Sequence, residues 1–598
     1  MCGISGWLLN ESGKFTREHM RSMTAALEHR GPDDSGVYFD SDHDVAFGHN
    51  RLSVLDLSER GHQPMLNRHS GDVVNFNGEI VNFAVLRDQL QTKGYVFESC
   101  TDTEVLLYSF AAWGIDCIDR IQGMYAFALW AKSARVLHLV RDPMGIKPLY
   151  YRLLPDNFGL IFASEVKAFI GLPGFAATVD RRSLGQFLEF GYTFDKYSTI
   201  FKEVRKLQPG HRLELAPGGS AKTIRYFFPE VNRCFTKDRR SLEDELYSVL
   251  DNVVQEHVVA DVPIGLLLSG GLDSRIVAAM AAKHTSVRTF NFTFEDSDVD
   301  ERAKAKTVSE YVGSQHEEFV ITSKEIRKDL DSSVRCMDDL FGDWGTLSTR
   351  LMYRNCRERD IKVVLVGEGA DELFAGYWGR FSPSFEGGED WRIDWRLFRL
   401  YRVYIGRRYG GGFWEYRQRM RSYLRLTKGD LFNAIRLFES REQLSNNFAM
   451  KVDKASMAES IEARVPFLDA RVVSIAYQIP RDFLISEDHE VKSLLRSMAT
   501  RYGLLPEEIV GQRKYGIALP PGWLDVSESF KEYAREVIFD RDGCVDELGF
   551  RDAMTRFFHG NAQGYRFPRA ASIFRNLAWK LLLLDLWSRH YGLSPAGG

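Results

Sequence analysis

The sequence predicts a chain of two domains, an α+β domain followed by an α/β domain with a doubly wound parallel sheet and helical additions at its C-terminal end. Three observations carry this. A chain of 598 residues is too long for one hydrophobic core. Short alternating runs (Val45 to Phe47, Val73 to Phe76, Arg135 to Val140, Leu149 to Arg152) mark residues 1–225 as two-sided β-structure with few long helices. Beyond Ser241 the pattern becomes strand, helix, strand, helix, strand, which is the order of a parallel sheet covered on both faces. The polar, basic stretch 226–240 reads as the linker, so the second domain is placed at 241–598.

Composition narrows the classes. Hydrophobic residues make up 44% and charged residues 27%, as in ordinary globular chains. A net charge of −4 gives no general attraction for nucleic acid or an anionic membrane. No stretch approaches the ~20 apolar residues of a membrane span, and Met1-Cys2-Gly3-Ile4-Ser5 lacks a basic segment before an apolar one. A cytoplasmic protein is therefore expected. The seven cysteines are scattered without metal-ligand spacing, which argues against disulfides and zinc. Cys2 stands apart. Loss of Met1 would leave it with a thiol and a free α-amine that titrates near ~8, a nucleophile with its own base.

In the N-terminal half, a helical stretch (His19 to Leu27) precedes the turn cluster His29-Arg30-Gly31-Pro32-Asp33-Asp34. Then come His49-Asn50-Arg51-Leu52-Ser53-Val54-Leu55, Asn75-Phe76-Asn77-Gly78-Glu79-Ile80 and Cys100-Thr101-Asp102-Thr103-Glu104, spaced like loops between strands. Singly, Arg51 reads as a surface salt bridge, Asn77-Gly78 as a hairpin turn and Asp102 as a helix cap. Together with Cys2, Arg141 to Tyr150 and Ala163-Ser164-Glu165, they resemble the class II glutamine amidotransferases from Cys2 to about Tyr226. Those are N-terminal-nucleophile glutaminases built as an αββα sandwich. The resemblance implies that Cys2 attacks the side-chain amide of glutamine and that Asn77 and the Gly78 N–H form the oxyanion hole. It implies that Arg51 pairs with the substrate α-carboxylate and Asp102 with the α-ammonium, while Val54, Leu55 and Glu79 complete the pocket.

The C-terminal half is organised around Leu268-Ser269-Gly270-Gly271-Leu272-Asp273-Ser274, where an apolar strand-like run breaks at two glycines and resumes as helix. A strand, a glycine turn and a helix N-terminus offer N–H groups to a phosphate, and Asp273 adds a carboxylate for an accompanying Mg²⁺. No Gly-Lys-Ser/Thr follows, so this is not the Walker loop. The string resembles the pyrophosphate loop of the ATP pyrophosphatases. Leu268, Phe292, Val366 and Gly367 are placed around the nucleotide at the strand ends. The run Gly367-Glu368-Gly369-Ala370-Asp371-Glu372 puts three carboxylates at a strand end, an arrangement that calls for a cation or a catalytic purpose. Asp371 is placed to share Mg²⁺ with Asp273, and Glu368 is a candidate base or brace.

Further on, Lys451-Val452-Asp453-Lys454, Glu462-Ala463-Arg464-Val465-Pro466 and Gln512-Arg513-Lys514-Tyr515-Gly516 resemble asparagine-synthetase-type domains, so the resemblance spans the whole chain. It implies ATP and Mg²⁺ as cofactors, Lys514 as a neutraliser of transition-state charge, glutamine as ammonia donor and a carboxylic acid, foremost aspartate, as acceptor. Arg275, Trp344 and Ala370 depart from the usual pattern and raise the alternative of another acid. An intramolecular ligase lacks the glutaminase motifs present here, and a nucleic-acid-modifying enzyme finds support only in the basic, aromatic stretch 391–426, which reads foremost as amphipathic helices. Oligomeric state is left open, with a homodimer considered.

Overall fold

The computed structural model describes residues 1–10, 14–40, 42–231, 237–295, 302–385, 412–511, 528–540, 543–559 and 568–594. The N-terminal domain holds strands β1 (Gly3–Leu9), β2 (Asp34–Asp40), β3 (Val45–Arg51), β4 (Met65–Leu66), β5 (Val73–Ile80), β6 (Gly123–Ala131), β7 (Val136–Arg141), β8 (Tyr150–Leu153), β9 (Gly159–Ala163), β10 (Arg205–Lys206), β11 (His211–Leu215) and β12 (Lys222–Arg225). They form two six-stranded sheets, ordered β10-β8-β9-β1-β3-β2 and β12-β11-β7-β6-β5-β4.

Strand alternation explains how the layers stack. In β1, Ile4 and Leu8 join Phe47, Trp130, Leu137 and Phe162 in a core between the sheets. Trp7 points the other way, into a cluster with Met20 and Met23 of the helix Arg17–Ala25. In β5, Val73 faces the inter-sheet core, while Val74 and Phe76 pack with Leu86 and Leu90 of helix Phe83–Thr92 and with Val105 and Leu106 of helix Asp102–Trp113. The result is the helix–sheet–sheet–helix sandwich. Asn75 and Asn77 share the inward face of β5 with Val73, which aims two amides at β1. The Asn77-Gly78 pair lies within the paired length of β5 and forms no hairpin turn.

Helix Arg239–His257, capped by the Asp238 side chain, opens the second domain. Its sheet contains β13 (Ile264–Leu267), β14 (Arg288–Phe294), β15 (Gln315–Ile321), β16 (Val363–Leu365) and β17 (Glu462–Arg464), all parallel in the order β15-β14-β13-β16-β17. The strand order reverses between β13 and β16, so the crevice for a ligand opens where residues 268–274 and 366–376 leave those strands. Helices supply the rest, including a π-helical run Glu439–Phe448 and the long terminal helix Pro568–Tyr591. Of the basic stretch 391–426, residues 391–411 lie outside the described residues, and 412–426 form one helix that buries Met420 and Tyr423. No described helix is long and apolar enough to cross a membrane.

Candidate active sites

Cys2 sits just ahead of β1, 7% exposed. Its backbone N–H donates to Asn77 Oδ1 at 2.9 Å, and its carbonyl accepts from Arg30 Nε at 3.0 Å. Orienting the Asn77 oxygen toward Cys2 leaves the other end of the amide free, and Asn77 Nδ2 is buried with no hydrogen-bond partner. A buried unsatisfied donor costs on the order of 1–3 kcal/mol, so its place beside the cysteine marks a position where an oxygen is wanted. Gly78 follows, and a Cβ there would meet the Met124 carbonyl at 2.3 Å, so only glycine lets the backbone lie this close to β6. Burial pushes the Cys2 thiol up, against the opposing pull of the N-terminal ammonium, the Leu52 N–H and Arg51. The resting thiol is therefore protonated.

One narrow pocket is lined by Cys2, Arg51, Val54, Leu55, Gly78, Glu79, Asp102 and, from the second domain, Glu462. Every glutaminase residue singled out from the sequence except the inward-turned Asn77 thus borders the same space. Arg51 is buried, and its guanidinium is braced by the carbonyls of Ser58 (2.9 Å), Leu55 (3.1 Å) and Asp56 (2.5 Å). Among the described residues no carboxylate pairs with it, so its charge is left for a ligand. Asp102 is the first residue of its helix, capped by Thr101 instead, and accepts from the Ile80 N–H at 2.9 Å. Burial raises its carboxyl to about 6. Burial also holds the Glu79 carboxyl well above its usual range, with Arg464 opposing, and Glu79 Oε1 has no hydrogen-bond partner. The pocket sets a guanidinium with no carboxylate partner among the described residues against Asp102 and Glu79, its third carboxyl, Glu462, being held by Arg464, and this matches a zwitterion.

Two residues outside the predicted set tie this pocket to the synthetase half. Arg464, fully buried on β17, bonds Glu462 Oε1 at 2.6 Å and stands 3.3 Å from Glu79 Oε2. Its own carbonyl accepts the Val366 N–H at 3.0 Å, at the mouth of the nucleotide crevice. Arg30 joins Glu165 Oε1 at 2.6 Å and grips Asp453 at 2.9 and 3.2 Å, with its Nε on the Cys2 carbonyl. The motif stretches around residues 30, 165, 453 and 464 thus share a task, lining the buried seam between the domains. Each was visible in the sequence; that they meet was not.

At the second centre, helix Leu272–His284 starts at Gly271 with no side-chain cap, so its first-turn N–H groups are not covered by a capping residue. Ser274 Oγ folds back to the carbonyls of Ser269 (2.8 Å) and Gly271 (3.1 Å), fixing the loop. A Cβ on Gly367 would meet the Ser274 N at 2.8 Å, which shows how tightly the two loops converge. Leu268, Phe292 and Val366 are buried around them. Asp273 and Asp371 do come together, and between them stands Lys492, its Nζ 2.7 and 2.6 Å from the Asp273 oxygens and 2.5 Å from Asp371 Oδ1. Lys492 has a left-handed backbone, φ +57°, and a Cβ on Gly376 would meet its Cε at 2.4 Å. Sequence reading missed this lysine, which no motif announces. Among the described residues there is no cluster of three or more metal-binding side chains. Two carboxylates sharing one cation do fit Mg²⁺, which commonly takes one or two carboxylates and completes its shell with phosphate oxygens and water.

The acidic run resolves into three fates. Asp371 meets Lys492, Glu368 pairs with Lys451 at 3.2 Å, and Glu372, raised to about 8 by burial and its acidic neighbours, receives the Tyr377 hydroxyl at 3.0 Å. Arg275 is buried and donates to the Ile509 carbonyl at 2.6 Å. Trp344 stacks on Trp579 at 4.4 Å and donates to Asn576 Oδ1 at 3.1 Å. Ala370 is buried in the first turn of helix Ala370–Leu373. Lys514 lies outside the described residues.

A cysteine pocket on a two-sheet sandwich, joined to a glycine-loop cradle on a doubly wound sheet, defines a two-domain protein of the amidotransferase–ligase class. Residues 1–227 match the glutamine amidotransferase domain model and residues 245–589 the asparagine synthase model. The chain belongs to the asparagine synthase family. It is 30% identical to asparagine synthetase [glutamine-hydrolyzing] 3 of Bacillus subtilis over 95% of each chain, and 31% identical to asparagine synthetase [glutamine-hydrolyzing] 1 of that organism over 90% of each.

Proposed function

We propose that this protein is a cytoplasmic, ATP-dependent, glutamine-hydrolysing asparagine synthetase. Glutamine enters the Cys2 pocket with its α-carboxylate on Arg51 and its α-ammonium toward Asp102 and Glu79. Once Met1 is removed, the Cys2 α-amine takes the thiol proton and the sulfur attacks the amide carbon. The oxyanion is received by Asn77 Nδ2 and the Gly78 N–H. Ammonia leaves, and water releases glutamate from the thioester. At the other centre the aspartate β-carboxylate attacks the α-phosphorus of ATP, giving β-aspartyl-AMP and pyrophosphate. Ammonia, kept from bulk water by the closed seam, then displaces AMP to give asparagine.

The loop 269–274 cradles the phosphates, with Leu268, Phe292, Val366 and Gly367 around the nucleoside. Asp273 and Asp371 would hold Mg²⁺, which supplies neutralisation of phosphate charge, and Lys492 turns from the carboxylates to a phosphate oxygen. Glu368, held by Lys451, is placed to take a proton from incoming ammonia, and Lys514 completes the charge neutralisation. The observation that carries this reading is the buried, unpartnered Asn77 amide beside Cys2, in a chain whose remaining length matches the asparagine synthase family. Aspartate is favoured over another acid because, of the three departures that argued for one, Arg275 donates to a main-chain carbonyl, Trp344 joins an indole stack and Ala370 is buried in a helix first turn.

The test is release of pyrophosphate from ATP and glutamine against a panel of carboxylic acids, with the amide product identified by mass. Stoichiometric AMP, pyrophosphate and asparagine with aspartate alone is the expected result. Turnover of a different acid with aspartate inert would overturn the assignment of acceptor.

A further inference from the structure

A second large opening lies between the domains. This cleft of about 460 Å³ shares no lining residue with the glutamine pocket or with the 268–274 and 366–376 loops. One wall comes from the β7, β11 and β12 region of the first domain, the other from helix Gly412–Leu426 and the π-helical run of the second. Its make-up is one-sided. Lys196, Arg225 and Arg425 line it with no ion pair among the described residues. Lys206 and Arg441 donate only to the main chain, at Thr193 (2.6 Å), Pro143 (2.6 Å) and Pro209 (2.7 Å). The one carboxylate in the wall, Glu442, is already engaged by Arg419 at 3.1 Å and by the Tyr423 hydroxyl at 2.7 Å.

Gathering cations without counter-charge in a recess is unfavourable unless an anion completes it. A second, independent observation points the same way: Gln208, 8% exposed, lines the cleft with its Nε2 buried and unpartnered. His211 hydrogen-bonds the Pro209 carbonyl through Nδ1 at 2.9 Å, which places its proton there and leaves Nε2 as an acceptor for a ligand hydroxyl. The guanidinium groups of Arg225 and Arg441 both lie over the Phe228 ring, 5.0 and 5.4 Å from its centroid. The π-helical winding brings Arg441, Glu442, Ser445 and Asn446 to one side, and such windings are concentrated at functional sites.

We propose that this inter-domain cleft binds a small phosphate ester bearing hydroxyl groups, with the phosphate among Lys196, Arg225 and Arg425 and the hydroxyls at His211 and Gln208. The volume is that of a small-molecule pocket. A recess of this volume with exposed cations at its rim and the buried Lys206, Gln208 and Arg441 inside suits a compact anion better than an extended nucleic-acid strand. Because both domains line the cleft, an occupant bridges them. Helix 412–426, the part of the basic aromatic stretch the structure describes, gains a role here that neither reaction centre gave it.

Ribose 5-phosphate titrated calorimetrically into the full chain is the probe, with inorganic phosphate alongside to separate the phosphate from the hydroxyl contribution. The variants are Arg225→Ala with Arg425→Ala, both on exposed side chains without ion pairs, and separately Gln208→Leu. Ribose 5-phosphate should bind more tightly than inorganic phosphate and weaken by about tenfold or more in the double variant, whose thermal midpoint without ligand does not fall and whose KM for ATP stays unchanged. Gln208→Leu should erase most of the preference for the ester over the free anion. Equal affinity in wild type and double variant overturns the proposal, as does the lack of any binding to the wild type at about 10 mM, where ΔG of binding is below about 3 kcal/mol in magnitude. A short single-stranded RNA bound more tightly than the ester, and lost in the double variant, would make the cleft a nucleic-acid surface instead.

Discussion

At the glutamine site, Glu79 Oε1 in the pocket and Asn77 Nδ2 beside Cys2 are buried without hydrogen-bond partners, and Arg51 is braced by main-chain carbonyls. In the nucleotide crevice the opposite holds, and the two carboxylates already share the Lys492 ammonium. The contrast follows from the ligands. A zwitterion brings both charges and can satisfy a site held open for it, so unsatisfied groups on rigid strands are tolerable. On the proposed reading a polyphosphate arrives with its own cation, and Lys492 would stand in for that cation between turnovers.

The largest effect that would break this contrast is Cys2→Ala. Glutamine-dependent synthesis should fall to background, a loss on the order of 10⁴ or more, while ammonium-supported synthesis stays within about twofold. Loss of both activities would mean that the two centres do not work separately. Asn77→Ala comes next, with glutaminase kcat down roughly 10²–10³ and KM for glutamine little changed. A change confined to KM would show that the free amide serves binding and not the oxyanion.

Lys492→Met addresses the other site. It removes the ammonium that stands between Asp273 and Asp371, a loss of about 3–5 kcal/mol if nothing replaces it. Mg²⁺ alone should then raise the thermal midpoint of the variant and barely move that of the wild type. Equal Mg²⁺ responses would mean that the lysine is not standing in for the cation.

The smallest effect is a titration. Asp102, raised by burial to about 6, must be ionised to receive an ammonium, so kcat/KM for glutamine should drop tenfold per pH unit below about 6. A carboxyl raised on folding favours the folded chain at low pH and withdraws that support as pH climbs from about 4 through 6. Asp102→Asn should therefore raise the midpoint at pH 7, make no difference near pH 3, and abolish the acid limb. An unchanged acid limb in that variant would assign it to another group.

Much of this was legible in the chain itself. The alternation in β3 and β5, the glycine pair after β13 and the parallel order of the second sheet are consequences of local spacing, since side-chain period and backbone freedom are set within a few residues. Cys2, Arg51, Asn77 and Asp102 are legible through the family resemblance that their motifs carry, not from local spacing, and Asp273 and Asp371 from the glycine loop and the acidic run at the strand ends. What only the tertiary structure decided are partners brought together by topology. Lys492 lies 219 residues from Asp273, and Arg30 lies 423 residues from Asp453. A single lysine or arginine carries no periodic signal, and its role is fixed by whichever buried charge the fold sets beside it. The inter-domain cleft is of the same kind, assembled from cations on two domains that look like ordinary surface in either half alone.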